Sequence, residues 1–219
     1  MLASQFTETS YPVLSLFDKA EFALQLMEDY EISHLAVNKE DKFYGIISKH
    51  TLAEADGSAT LATLTQHYIT ASVLPEDHLL SLLKAASRFN ISLIPVVNKF
   101  NELLGVVTLS NLLQQLALFL NVEEPGGMLV IEMDKRNFSF GEISRLIETN
   151  DAFITQLNTY TETSTGSFIV TIRVNRTEIS DIVATLQRYD YHIRYYFGEE
   201  DYENELKENY DLLMTYLNI

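Results

Sequence analysis

The chain has 219 residues, 47 % of them hydrophobic, and a formal net charge of −16 at pH 7. This length predicts one or two domains, and the apolar content excludes a fully disordered chain. The negative charge disfavours partners rich in phosphate, namely nucleic acid and anionic membrane surfaces. The chain has no cysteine, which excludes disulfides, thiolate metal sites and a thiol nucleophile. No apolar run approaches the roughly 20 residues of a membrane span. Residues 1–15 do not read as a secretion signal, so we expect a cytoplasmic protein.

The first elements form a unit of helix, strand, strand and helix. Asp18, with Glu21 three residues later, has the form of a capping box and predicts a helix that runs to Tyr30. Two short β-rich runs follow, at 35–37 and 44–47, joined by a polar turn. Ser48 then stands where a new helix begins, and serine is a favoured N-cap residue. A short strand near Val13 leads into the unit.

The same unit recurs about sixty residues later. A helix follows Asp77, strands are predicted at 94–97 and 104–107, and Thr108 caps a helix that extends to Leu120. The two copies match along Tyr44-Gly45-Ile46-Ile47-Ser48 and Leu104-Gly105-Val106-Val107-Thr108. A repeat of this length is one supersecondary unit used twice. The cleft between two such copies is a natural ligand site.

A different pattern begins after Pro125-Gly126-Gly127, which predicts a flexible boundary. The residues that follow read as β-α-β-β-α-β, the order of a split pair of crossovers. We therefore predict an α+β protein with a pseudo-twofold pair in front of a ferredoxin-like domain. The predicted parts are copy one at about 8–56, copy two at about 68–120, a linker at 121–127, the second domain at 128–198 and an acidic C-terminal helix at 199–219.

The repeat resembles a tandem pair of CBS motifs, often called a Bateman module. The residues that carry this resemblance are Ile94-Pro95-Val96-Val97 and Leu104-Gly105-Val106-Val107-Thr108, with the weaker first copy beside them. The segment from 127 to 198 resembles an ACT-type regulatory domain, on element order more than on a motif. The order of the two parts resembles bacterial proteins of the acetoin-utilisation type.

The CBS resemblance implies a cleft that binds an adenosine-containing metabolite, such as AMP, ATP or another adenosyl compound. The candidate ligand residues are Pro95, Val96, Thr108 and Asn111 in the second copy, and Ser48 and Thr51 in the first. The family has Ser/Thr-x-x-Asp at this place, with the Asp on the ribose hydroxyls. Here Thr51 and Asn111 replace that Asp, and the alternative is that Ser48 and Thr108 serve only as helix caps. The second copy keeps more of the pattern, so we expect it to be the ligand site.

The ACT resemblance implies a small-ligand site at the loop 134–139. The loop lacks the family's Pro-Gly, although Asn137 can supply an unusual backbone conformation. A dimerising role is therefore favoured over amino-acid binding.

Two functions remain open for the chain. One is a regulatory ligand sensor, a homodimer that signals to a separate, unidentified protein. The other is a dimeric interaction scaffold whose nucleotide pockets have decayed. No nucleophile–base pair, metal-ligand spacing or phosphate-binding glycine loop supports an enzyme, and no cofactor is required.

Overall fold

The computed structural model describes residues 1–198, and these fall into two compact units. The first unit is Met1–Phe119, and the second begins at Leu120. The predicted acidic helix at 199–219 lies outside the described residues. Within residues 1–198, no helix combines the length and the apolar content that crossing a membrane requires.

The first unit contains the two predicted copies of helix, strand, strand and helix. Its elements are β1 (Val13–Ser15), α1 (Ala20–Asp29), β2 (His34–Lys39), β3 (Lys42–Ser48), α2 (Lys49–Glu54), α3 (Leu79–Phe89), β4 (Leu93–Val97), β5 (Leu103–Thr108) and α4 (Leu109–Phe119). Short 3-10 helices at Ala3–Gln5 and Leu61–His67 precede the two copies. The observed strands extend one or two residues beyond the predicted ones, because these flanking residues still pair between the strands.

Each copy completes its sheet with the leading segment of the other copy. In copy one, β1 runs parallel to β2, β2 is antiparallel to β3, and Ile69 pairs with Ile46 of β3. In copy two, β4 is antiparallel to β5, and Glu8 pairs with Val106 of β5. The leading residues of copy one therefore lie on copy two, and the leading residues of copy two lie on copy one. This exchange is the feature of the fold that builds the candidate site.

The predicted capping role of Asp18 is wrong. Helix α1 begins at Ala20, and the Asp18 carboxylate instead accepts a hydrogen bond from the Ser15 N–H at 2.7 Å. Asp77 does the same in copy two, where it accepts from the Leu74 N–H at 2.7 Å. The aspartates therefore stabilise the turn before each helix. The first N–H of α1 donates to the Ala59 carbonyl at 2.9 Å, so a backbone group replaces the expected side-chain cap.

The second unit has the predicted β-α-β-β-α-β order. Its elements are β6 (Met128–Met133), α5 (Phe140–Glu148), β7 (Ile154–Thr161), β8 (Phe168–Val174), α6 (Ser180–Arg188) and β9 (His192–Phe197). The sheet order is β7-β8-β6-β9 with all neighbours antiparallel, which is the ferredoxin-like, ACT-like arrangement. Alternate residues of β6, among them Leu129 and Ile131, pack with Ile143 and Ile182 of the two helices in one core.

The segment predicted as a flexible linker is held to the second unit. The Arg173 guanidinium of β8 donates to the carbonyls of Asn121 and Glu124 at 2.7 Å each. The Gly127 N–H donates to the Arg176 carbonyl at 2.6 Å, and the Val174 N–H donates back to the Gly127 carbonyl at 3.0 Å. The two glycines therefore allow a close backbone approach here, and residues 121–127 belong to the second unit.

An ion pair on the sheet makes the second unit sensitive to acid. Arg194 of β9 donates two hydrogen bonds to the Glu162 carboxylate, at 2.9 and 3.0 Å. These bonds, together with one from the Thr165 hydroxyl, lower the pKa of Glu162 to about 2. Since the folded pKa lies below the unfolded value of about 4.3, the pair stabilises the fold fully above that value. This stabilisation is lost as the pH falls towards 2.

Between about pH 4.5 and pH 2.5, we expect the free energy of unfolding to fall less steeply with pH in Glu162→Gln than in the wild type. Urea unfolding of the full chain at a series of pH values measures this, followed by far-UV circular dichroism. Glu148→Gln is the matched control, because the Glu148 carboxylate accepts a hydrogen bond only from the neutral Ser144 hydroxyl, at 2.9 Å. A Glu162→Gln profile as steep as that of the control would contradict the assignment.

Candidate functional site

The candidate site lies where the second strand of each copy passes into the following helix. Ser48 and Thr108 cap these helices as predicted. The Thr51 N–H donates to Ser48 Oγ at 3.1 Å, and the Asn111 N–H donates to Thr108 Oγ1 at 3.2 Å. Both hydroxyls are partly buried. The two junctions are therefore alike in backbone geometry, and they differ in what lies against them.

In the second copy, a carboxylate from the N-terminal segment occupies the junction. The Thr108 hydroxyl donates to Glu8 Oε1 at 2.9 Å, and the Asn111 side-chain amide donates to the same oxygen at 3.3 Å. That amide also donates to the Phe6 carbonyl at 3.1 Å. The cap hydroxyl and the residue one turn on are therefore both engaged by Glu8, which the sequence analysis did not single out.

The backbone fixes Glu8 in this place. Its N–H donates to the Val106 carbonyl at 2.8 Å, and its carbonyl accepts from the Val106 N–H at 3.0 Å. Gly105, with φ of 154°, makes room for this approach, since a Cβ there would lie 2.5 Å from the Glu8 carbonyl oxygen. The segment thus forms an antiparallel β-bridge to β5 at Glu8. The repeat could have signalled this, because Glu8 precedes Ile69 by about the repeat length.

The first copy has no carboxylate at the equivalent position. Ile69 pairs with β3 there, and the Ile46 N–H donates to the Ile69 carbonyl at 2.8 Å. The Ser48 and Thr51 hydroxyls lie 2.9 Å apart and bond to each other. The predicted residues Ser48 and Thr51 are therefore brought together, but only as a closed pair at the start of a six-residue helix.

Pro95 and Val96 lie in β4, and both are buried. Val96 is 1 % exposed and belongs to the core of the second copy. The Pro95 carbonyl accepts a hydrogen bond from the Val73 N–H at 3.0 Å. Of the residues predicted for this site, Thr108 and Asn111 are brought together through their hydrogen bonds to Glu8, whereas Val96 is buried in the core.

Two sets of polar contacts join the copies across the first unit. His34 Nδ1 lies 2.9 Å from Ser92 Oγ and accepts from the Ser92 N–H at 3.2 Å. Burial lowers the pKa of His34, which favours the neutral ring that this acceptor role requires. At the turns, Lys42 pairs with Glu102 at 2.9 Å. These contacts join the two copies at both ends of their strands.

Tyr11 lies close to the Glu8 carboxylate. Burial and, second, the negative charge of Glu8 raise the pKa of Tyr11. The ring packs beside the cores of both copies. Among residues 1–198, no group of three His, Cys, Asp or Glu side chains is placed to hold a metal ion.

The loop predicted as an ACT-type ligand site is a short 3-10 helix, Lys135–Asn137, capped by the Asp134 carboxylate. The expectation that Asn137 adopts a left-handed conformation is wrong, because its backbone is helical here. A cavity of about 290 Å³ lies beside the loop. Its lining includes the four carboxylates of Glu132, Asp134, Glu142 and Asp190. This lining disfavours the carboxylate of a free amino acid.

The comparison with protein families agrees with the repeat. Residues 3–58 and 68–118 both match the model of the CBS domain. The chain is therefore a tandem CBS-domain protein. Its pair is a Bateman module, followed by an ACT-like unit with the sheet order described above.

The chain is similar to several solved structures at low sequence identity. A CBS domain pair/ACT domain protein from Thermotoga maritima is 21 % identical, with a TM-score of 0.50, over 55 % of this chain and 99 % of that one. An acetoin utilization protein from Vibrio cholerae is 23 % identical, with a TM-score of 0.49, over 57 % and 96 % of the two chains. A CBS domain pair in complex with 5′-methylthioadenosine and S-adenosyl-L-methionine is 18 % identical, with a TM-score of 0.46, over 54 % and 98 %.

Proposed function

We propose that this protein is a regulatory ligand sensor whose CBS pair binds an adenosine-containing metabolite at the second-copy junction. The observation that carries the proposal is the meeting of three polar groups there, from Thr108, Asn111 and Glu8. A cap hydroxyl, an amide and a carboxylate supply both donors and acceptors for a nucleoside. The first-copy junction offers only the mutually bonded Ser48 and Thr51.

Isothermal titration of the full chain with adenosine, AMP, ATP and S-adenosylmethionine tests the proposal, together with thermal shift. A ligand at about 100 times its dissociation constant stabilises the fold by about 2.7 kcal/mol. We expect Thr108→Val to weaken binding about tenfold, since one hydrogen bond is lost. The control is Ser110→Ala, an exposed residue of the same helical turn. Equal binding by the two variants would place the ligand elsewhere.

The alternative function is a scaffold that binds no nucleotide. It is favoured by the bonds that already satisfy Thr108 and Asn111 within the chain. If none of the four compounds binds at millimolar concentration, the scaffold function takes the place of the sensor.

A homodimer that acts on a separate protein completes the proposal, and no catalytic role is assigned to this chain. The helices of the first unit expose large apolar side chains: Phe22, Leu80, Leu109, Leu113 and Leu118. Such side chains suit a protein interface. Light scattering at micromolar concentration should give the mass of a dimer, and a monomer would contradict this part of the proposal.

A further inference from the structure

We infer that Glu8 sets the charge specificity of the second-copy site, which takes an adenosyl ligand without phosphate, either neutral or cationic. The inference rests on the proposed function and names the ligand class of that same site. The Glu8 carboxylate bonds to Thr108 and Asn111, the two groups that would otherwise be free to hold an anion.

The charge of Glu8 is not compensated by a neighbouring cation. None of the ion pairs found among residues 1–198 includes Glu8. Its nearest polar partners are a hydroxyl and an amide, which are neutral. AMP carries close to two negative charges at pH 7. A phosphate at this junction would lie within a few ångströms of a carboxylate, in a partly buried place where repulsion is weakly screened.

The carboxylate cannot leave by a simple movement of the chain terminus. Both backbone hydrogen bonds between Glu8 and Val106 hold the segment on β5. The Thr7 hydroxyl donates to the Ala3 carbonyl at 2.7 Å, and Phe6 is buried in the core. The Glu8 backbone therefore stays beside any ligand in the site, and the carboxylate remains within reach of that ligand. It can accept hydrogen bonds from the hydroxyls of a neutral nucleoside, and it attracts a sulfonium or ammonium group.

The first copy supports the assignment by contrast. The equivalent residue there is Ile69, whose side chain carries no charge and no hydrogen-bonding atom. The two copies share the cap hydroxyl, the glycine and the strand pairing. At these equivalent positions only the second copy has a carboxylate, so the fold of the repeat does not require it.

Calorimetric titration of the full chain with adenosine, S-adenosylmethionine and AMP tests the inference, in the wild type and in Glu8→Gln. Gln keeps an oxygen that can accept from Thr108, so the segment stays in place. In the wild type we expect S-adenosylmethionine and adenosine to bind more tightly than AMP. In Glu8→Gln the ratio of the AMP dissociation constant to that of adenosine should fall at least about tenfold. Glu40→Gln is the control, an exposed carboxylate in the β2–β3 turn at the far end of the strands from Ser48.

The other results either overturn the inference alone or overturn the sensor function together with it. An AMP-to-adenosine ratio that stays within twofold in Glu8→Gln overturns the inference and leaves the sensor function standing. A wild type that binds AMP more tightly than adenosine also overturns the inference and leaves the sensor function standing. If no compound binds either protein, the sensor function fails and the inference fails with it. Thermal unfolding without ligand shows whether both proteins are folded.

Discussion

Replacing Gly105 by alanine should destabilise the first unit by roughly 2–5 kcal/mol. The added Cβ would lie 2.5 Å from the Glu8 carbonyl oxygen and 2.6 Å from Thr7 Cγ2. The first contact is with backbone and the second with a side chain, and the φ of 154° adds strain for any side chain at this position. We expect residues 1–9 to leave β5. Hydrogen exchange with mass spectrometry should then show lost protection at Glu8 and Val106, together with a lower melting temperature.

Two other glycines of the first unit provide graded comparisons. Gly45 is the repeat equivalent of Gly105, and a Cβ there would lie 3.0 Å from Tyr68 Cβ, so we expect a smaller loss in Gly45→Ala. At Gly57 the nearest atom is Glu21 Cβ at 3.5 Å, an ordinary contact, and Gly57→Ala should be nearly neutral. Equal stability of all three variants would contradict the view that Gly105 permits the strand pairing.

Gly126→Ala should destabilise the second unit by about 2–4 kcal/mol. Its Cβ would clash with the Val174 carbonyl oxygen, and backbone on both sides must shift to relieve this contact. The shift breaks the hydrogen bonds that join Gly127 to Val174 and Arg176. We expect faster exchange of the amides at the start of β6 and the end of β8, where these bonds lie.

The matched control for this prediction is Gly141→Ala in α5. Nothing lies within 4 Å of a Cβ at Gly141, and alanine is a better helix former by about 0.5–1 kcal/mol. This variant should be neutral or slightly more stable than the wild type. If Gly126→Ala behaves like Gly141→Ala, residues 121–127 are the flexible linker that the sequence predicts, and the assigned contacts are wrong.

The repeat and the order of elements could be predicted because both are local properties of the chain. Apolar spacing gives the helices and strands, and a favoured residue type gives the caps at Ser48 and Thr108. The same local logic fails for Asp18. An aspartate suits a helix N-cap and a turn equally well, and the Ala59 carbonyl that takes over at α1 is distant in sequence.

The candidate site was only half predictable for a related reason. Thr108 and Asn111 belong to one helical turn, so their proximity follows from the sequence. Glu8 reaches them across a sequence separation of 100 residues, through a strand pairing that no local pattern announces. The substitution Asn111→Asp, which restores the family residue, would place a second carboxylate beside Glu8. The family motif alone predicts that Asn111→Asp binds an adenosine ligand more tightly than the wild type.

The exchange of segments between the copies also bears on how such a chain arises. In a single copy, the second strand of the sheet would have an unpaired edge, because the segment that pairs with it belongs to the other copy. The copy's own leading segment would also have no strand to pair with. Two identical copies related by a twofold axis would meet both requirements, because the leading segment of each molecule would pair with the sheet of the other. Fusion of the two genes then turns a bimolecular exchange into an intramolecular one, at a high effective concentration. Within one chain the two leading segments can differ in sequence, as Glu8 and Ile69 do.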